Sequence, residues 1–115
     1  MRHALGRSST PITVIQLVGE HDYGSHAMVA AALEPVKGHL VVDLTACTFI
    51  DTSLIGAVIG KALSLGPEGY RLELVVPPSA PFARTVDRLR VGMLLPVLEA
   101  LPPLDGMSPS DTEEP

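Results

Sequence analysis

The sequence predicts an α/β layer of parallel strands joined by helical crossovers. Three observations carry this. Short β-branched or wholly apolar runs alternate with alanine-rich or apolar stretches of helical length. The order reads strand, helix, strand, helix, strand, helix, the pattern of right-handed βαβ units. The chain has 115 residues, 46% of them hydrophobic, which is one domain able to bury a core without metal or disulfide.

Ile12 to Val18 is β-branched and aliphatic, with only Thr13 and Gln16 polar, and reads as the first strand. Gly19-Glu20-His21-Asp22 reads as the turn leaving it. Ser25 is placed to cap a helix over roughly His26 to Val36, closed by Pro35 and Gly38. Leu40 to Leu44 is a short apolar run suited to a central strand covered on both faces. Its intruder, Asp43, is expected to hydrogen-bond neighbouring backbone, a direct role in a site being the alternative. Thr45 to Asp51 reads as a connection, with Phe49 and Ile50 tucked inward. Ser53 to Leu65 reads as the second helix, capped by Thr52 or Ser53 and ending at Gly66-Pro67.

Arg71 to Val76 alternates, with Leu72, Leu74 and Val76 on one face, and Pro77-Pro78 stops it. Ser79 can cap a third helix whose inner stripe is Phe82, Val86 and Leu89, ended by Gly92. Met93 to Leu101 is assigned a short last helix despite Pro96. Residues 1–104 form the domain. Residues 105–115, rich in Pro, Ser, Asp and Glu, read as a disordered acidic tail.

Composition narrows the function. The formal net charge is −5, but four of the thirteen acids lie in the tail, so the body carries eight bases against nine acids. No basic face is expected, which argues against nucleic acid and anionic membrane as partners. A single cysteine, Cys47, makes no intrachain disulfide and reads as a small buried residue in a reducing compartment. Met1 to Thr10 lacks the apolar core of a secretory leader, and no apolar run approaches the ~20 residues of a membrane span. The expectation is a cytoplasmic protein.

His3, His21, His26 and His39 lack metal-ligand spacing, so no metal is expected. No phosphate-cradling glycine loop is present, and His21, Asp22 and Ser53 come without the elbow of a hydrolase. No cofactor and no catalytic residue is assigned. Arg84, Arg88 and Arg90 read as a solvated face, or one that meets an acidic partner or the chain's own tail.

The polar residues gather after strands, where open α/β sheets place their sites. Glu20-His21-Asp22 follows the first strand and Asp51-Thr52-Ser53 the second, and neighbouring strands would bring them to one rim. The second helix adds a stripe of small residues, Ser53, Gly56, Gly60 and Ser64, beside apolar stripes through Leu54, Val58, Ala62 and Leu65 and through Ile55, Ile59 and Leu63. With Lys61 its single charge, this helix either exposes a small-residue face to a partner or packs its glycines closely on the sheet. The partner face, through Leu54, Gly56, Ala57, Gly60 and Lys61, is the reading adopted.

Gly19-Glu20-His21-Asp22, then Val42-Asp43-Leu44 and Phe49-Ile50-Asp51-Thr52-Ser53-Leu54-Ile55-Gly56, resemble the STAS family, and within it the bacterial anti-sigma factor antagonists. The resemblance covers roughly Ile12 to Leu101 and implies a STAS-like fold, a small, mostly parallel sheet of about four strands flanked by helices. It implies that Ser53 is the phosphoacceptor, with Thr52 as fallback, and that Asp22 and Asp51 complete the switch rim. The implied function is non-enzymatic: the chain binds an anti-sigma factor that is also a serine kinase and so frees a sigma factor. Phosphorylation switches it off and a phosphatase resets it. The match departs at Leu54, where the family has glycine, and at His21, where it has an aliphatic residue. A branched side chain beside Ser53 is expected to narrow the approach of a kinase loop. The alternative is therefore a constitutive, non-phosphorylated scaffold or transporter-associated STAS subunit.

Overall fold

A computed structural model of the chain describes residues 2–5, 11–102 and 108–112, with side chains described for residues 12–102. Its strands are β1 (Arg2–Leu5), β2 (Pro11–Gln16), β3 (Gly19–His21), β4 (His39–Asp43), β5 (Cys47–Ile50), β6 (Leu72–Val75), β7 (Val97–Leu98) and β8 (Ser108–Thr112). Its helices are α1 (His26–Leu33), α2 (Thr52–Leu65) and α3 (Ala83–Arg88). The main sheet has the order β7-β6-β4-β2-β1-β8. β2, β4, β6 and β7 are parallel, and β1 and β8 add antiparallel at one side.

Each crossover steps the sheet in the same direction, and crossovers of one hand then place every helix on the same face. The core follows that geometry. Ile15, Leu40, Val42 and Leu74 pack in one cluster with Val29 and Leu33 of α1, Leu54, Ile55 and Val58 of α2, and Val86 of α3. Burying each such side chain contributes roughly 1.5–3 kcal/mol. On the opposite face Val14, Val41 and Val75 form a small separate cluster with Leu98 against it. The expectation that β4 is buried on both faces is met, since Leu40 to Leu44 are all buried. α1 and α2 lie side by side, and the Lys61 ammonium donates to the Glu34 carbonyl at 3.0 Å, closing the C-terminus of α1.

Asp43 behaves as expected of a lone acid in an apolar strand. Its carboxylate accepts from the Thr45 backbone N–H at 2.9 Å, from the Thr45 hydroxyl and from Gln16 Nε2 at 3.3 Å. It is 2% exposed and spent on the chain's own groups, which leaves no site role for it.

Several boundaries differ from the sequence reading. The Gly19–Asp22 segment is not simply a turn. Gly19, at φ +81°, bends the chain out of β2, and Gly19–His21 then pairs in parallel with Cys47–Ile50 as a separate two-stranded sheet. Phe49 is accordingly 49% exposed, while Ile50 is buried. Ser79 does not cap α3. Two successive tight turns, Ala80 N–H to Pro77 and Ala83 N–H to Ala80, delay its start to Ala83. α3 stops at Arg88, Arg90 takes a left-handed conformation, and Leu89 swings outward to 49% exposure.

Met93 to Leu101 is not a helix. Pro96 cannot continue one, but its carbonyl and that of Leu98 accept from Leu74 and Val76, extending the sheet through β7. Within the segment read as a disordered tail, the backbone of 108–112 lies as a strand along β1. A main-chain ladder on an open edge needs no apolar side chains, so composition alone is blind to it. The sheet thus has six strands where about four were expected, four of them being the parallel set.

Candidate functional site

The site is assembled where β3 and β5 end. Their pairing sets Glu20 beside Phe49 and His21 beside Ile50, and the Asp51 N–H donates to the His21 carbonyl at 2.9 Å. Two segments 29 positions apart thus meet at one rim, as the sequence order suggests. Asp22 caps a short 3-10 turn, Tyr23–Ser25, by accepting from the Gly24 N–H at 2.9 Å. That turn presents Tyr23, 71% exposed and stacked on the His26 ring.

Asp51 opens α2. Its extended backbone (φ −75°, ψ 146°) lets its carboxylate reach back and accept from the Ser53 N–H at 2.9 Å. The N-cap is therefore Asp51, not Thr52 or Ser53. An Asp outranks Thr as a cap, and Thr52 already has helical geometry. The Ser53 side chain and its backbone N–H, standing beside the Asp51 carboxyl, hold it below the usual carboxylate range. Ser53 Oγ makes no hydrogen bond among the described residues, so the N–H is the bond that fixes the turn.

Around this anchor the α2 residues divide. Thr52 is exposed, and Ser53 is half-buried with its hydroxyl oxygen enclosed. Leu54 is 0% exposed and belongs to the core, which corrects its placement on a partner face. It also removes the expected obstruction, since its side chain points away from the approach to Ser53. Gly56 and Gly60 are exposed, and a Cβ built on either meets nothing within 4 Å. Close packing of these glycines on the sheet is thereby overturned. Ala57 is half-buried, and Lys61 is half-buried and bound to the Glu34 carbonyl. The open strip is Thr52, Gly56, Gly60, Leu63 and Ser64.

Sequence reasoning missed two parts of this rim. Phe49 in β5 and Val18 just before β3 are exposed apolar side chains beside it, and Tyr23 on the turn after Asp22 is a third. Cys47–Ile50 runs buried, exposed, exposed, buried, so no simple alternation in the sequence marks Phe49 as outward. His21 is 7% exposed, its Nε2 lies 3.0 Å from the Val18 carbonyl, and its Nδ1 has no partner among the described residues. A carbonyl only accepts, so Nε2 carries the proton.

Cys47 is buried, donates to the Phe49 carbonyl at 3.2 Å, and burial pushes its thiol up from the usual range. Among the described residues no three His, Cys, Asp or Glu side chains gather as metal ligands, and no helix is long and apolar enough to cross a membrane. A groove between α3 and β7, lined in part by Arg88, Arg90, Met93 and Val97, holds none of the motif residues.

No family model matches the chain, and no curated protein matches it. Among solved structures it is similar to the anti-sigma factor antagonist SpoIIAA in its unphosphorylated form. The TM-score is 0.60 at 23% identity, over 77% of this chain and 81% of that one. The chain therefore has a STAS-like α/β fold, as the motif resemblance implies.

Proposed function

We propose that this chain is an anti-sigma factor antagonist that docks an anti-sigma factor on the rim and α2 strip, freeing a sigma factor in the cytoplasm. One observation carries the reading. The two motif segments meet at the start of a helix whose adjoining face is open and built of small residues. Such a face admits a partner's backbone closely. The SpoIIAA-like fold supports the same role.

Phosphorylation of Ser53, with Thr52 as second acceptor, supplies the off signal. A phosphate adds ≈ −1.5 to −2 charge. Set beside Asp51 and Asp22, it makes the rim strongly anionic and repels a partner that docks through carboxylates or apolar groups. The partner is then a serine kinase, and a phosphatase restores binding.

The test is calorimetric titration of wild type, Ser53→Ala and Ser53→Asp with the anti-sigma kinase recovered on wild-type bait from cell extract. Ser53→Ala binds like wild type. Ser53→Asp binds at least about tenfold more weakly, the equivalent of ~1.4 kcal/mol. Equal binding by all three sinks the switch. The enclosed Ser53 oxygen favours a second reading, a constitutive scaffold that is never phosphorylated. Its mark is an unchanged intact mass after incubation with that kinase and MgATP.

A further inference from the structure

The main sheet ends at β7, which has no second neighbour among the described residues. In the ladder with β6, the Leu74 N–H donates to the Pro96 carbonyl and the Val76 N–H to the Leu98 carbonyl. Successive residues of a strand turn their backbone groups to opposite sides, so Val97 points its N–H and carbonyl away from β6. Pro96 faces β6, so the N–H it lacks is not taken from the outer edge. Alongside runs the groove between α3 and β7, whose ionisable lining is two bases, Arg88 and Arg90, and two acids, Asp87 and Glu99. All four are exposed, and none forms an ion pair among the described residues. On the stretch between α3 and β7, Leu89, Met93 and Leu94 are exposed apolar side chains. Arg90 has φ 57°, the only positive value among the described non-glycine residues. Glycine would hold that conformation without strain, so the strain is the cost of keeping a guanidinium at the groove.

We propose that this edge is a docking surface for a second copy of the chain, related to the first by a two-fold axis at Val97. The charge pattern selects that occupant. A two-fold interface uses the same patch on both copies, so the patch must complement itself and carry both signs in balance. The groove does so, with two bases and two acids. A strongly acidic or strongly basic partner would meet its own sign at half of those groups. Across the axis the guanidinium groups of one copy face the carboxylates of the other. Val97 exchanges both of its outward backbone bonds with its counterpart, the closely spaced pair of an antiparallel ladder. The apolar side chains around the groove leave water as the copies close. None of the motif residues lines this groove, so association of copies and docking of an anti-sigma factor are separate properties.

The experiment is sedimentation velocity of the full chain from micromolar to millimolar concentration, for wild type and three variants whose folding is checked by thermal unfolding. Wild type should pass from one copy to two as concentration rises. Arg90→Gly should melt higher than wild type when both are dilute, yet associate at least tenfold more weakly. A chain carrying Arg88→Glu with Arg90→Glu should stay a single copy, and so should one carrying Asp87→Arg with Glu99→Arg. Mixed together, these two should form a heterodimer, because each then meets the opposite sign. Amide exchange locates the contact: the Val97 N–H should be unprotected in dilute protein and become protected as copies associate. A wild type that remains a single copy throughout overturns the inference. A dimer that forms equally in every variant, or leaves the Val97 N–H unprotected, also overturns it, since another surface then holds the copies together. Either result leaves the antagonist reading untouched.

Discussion

At the scale of single residues, Leu54 and Asp51 show how one helix start divides its duties. Leu54 stands where the motif calls for glycine, and it is accommodated because its side chain enters the core. Leu54→Ala should cost about 2–5 kcal/mol of stability, read as a lower urea midpoint with an unchanged m-value, while partner binding by the folded fraction is preserved. Asp51 is the opposite case, a polar anchor at the surface. Its folded carboxyl titrates below the ordinary range, so its contribution is fully present above the unfolded value and is lost as pH falls from there through the lowered folded value. Asp51→Asn should therefore be less stable than wild type near neutrality and converge with it in acid, as a pair of urea titrations across pH would show. The identities at this turn were legible from the motif. Which atom faces outward was not, because a helical residue's direction depends on where the cap falls, and the cap lies one or two residues earlier than the sequence reading placed it.

Among the elements, α2 carries the functional argument and β3 with β5 carries its geometry. Gly56 and Gly60 sit in an exposed helix face with open space around them. Replacing each by Ala should stabilise the fold by about 0.5–1 kcal/mol, since glycine gives up more backbone freedom on folding. Gly60→Leu should leave the melting temperature close to wild type yet weaken binding of the proposed anti-sigma partner severalfold, and equal affinity would remove α2 from the proposed interface. The sequence disclosed α2, α1 and the three main parallel strands through their apolar periodicity. It did not disclose β3 and β5, whose ladder joins residues about 29 positions apart and so leaves no local pattern. For the same reason β7 was missed: two residues adding to a sheet edge are specified by their neighbour and by Pro96, not by their own propensity.

For the whole molecule, the parallel order β7-β6-β4-β2 puts all three helices on one side and makes β4 the most enclosed strand. Amide exchange should be slowest in Leu40 to Asp43 and fastest in β7 and the first turn of α2, and rapid exchange in β4 would contradict this packing. The meeting of His21 with Asp51 has a further consequence for how the chain is recognised. Neither motif is an epitope alone, because each supplies half of a contact that exists only once the sheet has closed. Peptides spanning 12–37 or 39–66 should not compete for the partner. The complex reads foldedness as well as sequence, and by linkage a partner at a hundred times its dissociation constant should add about 2.7 kcal/mol to the unfolding free energy. A partner of the proposed kind would thereby count only intact copies of this chain.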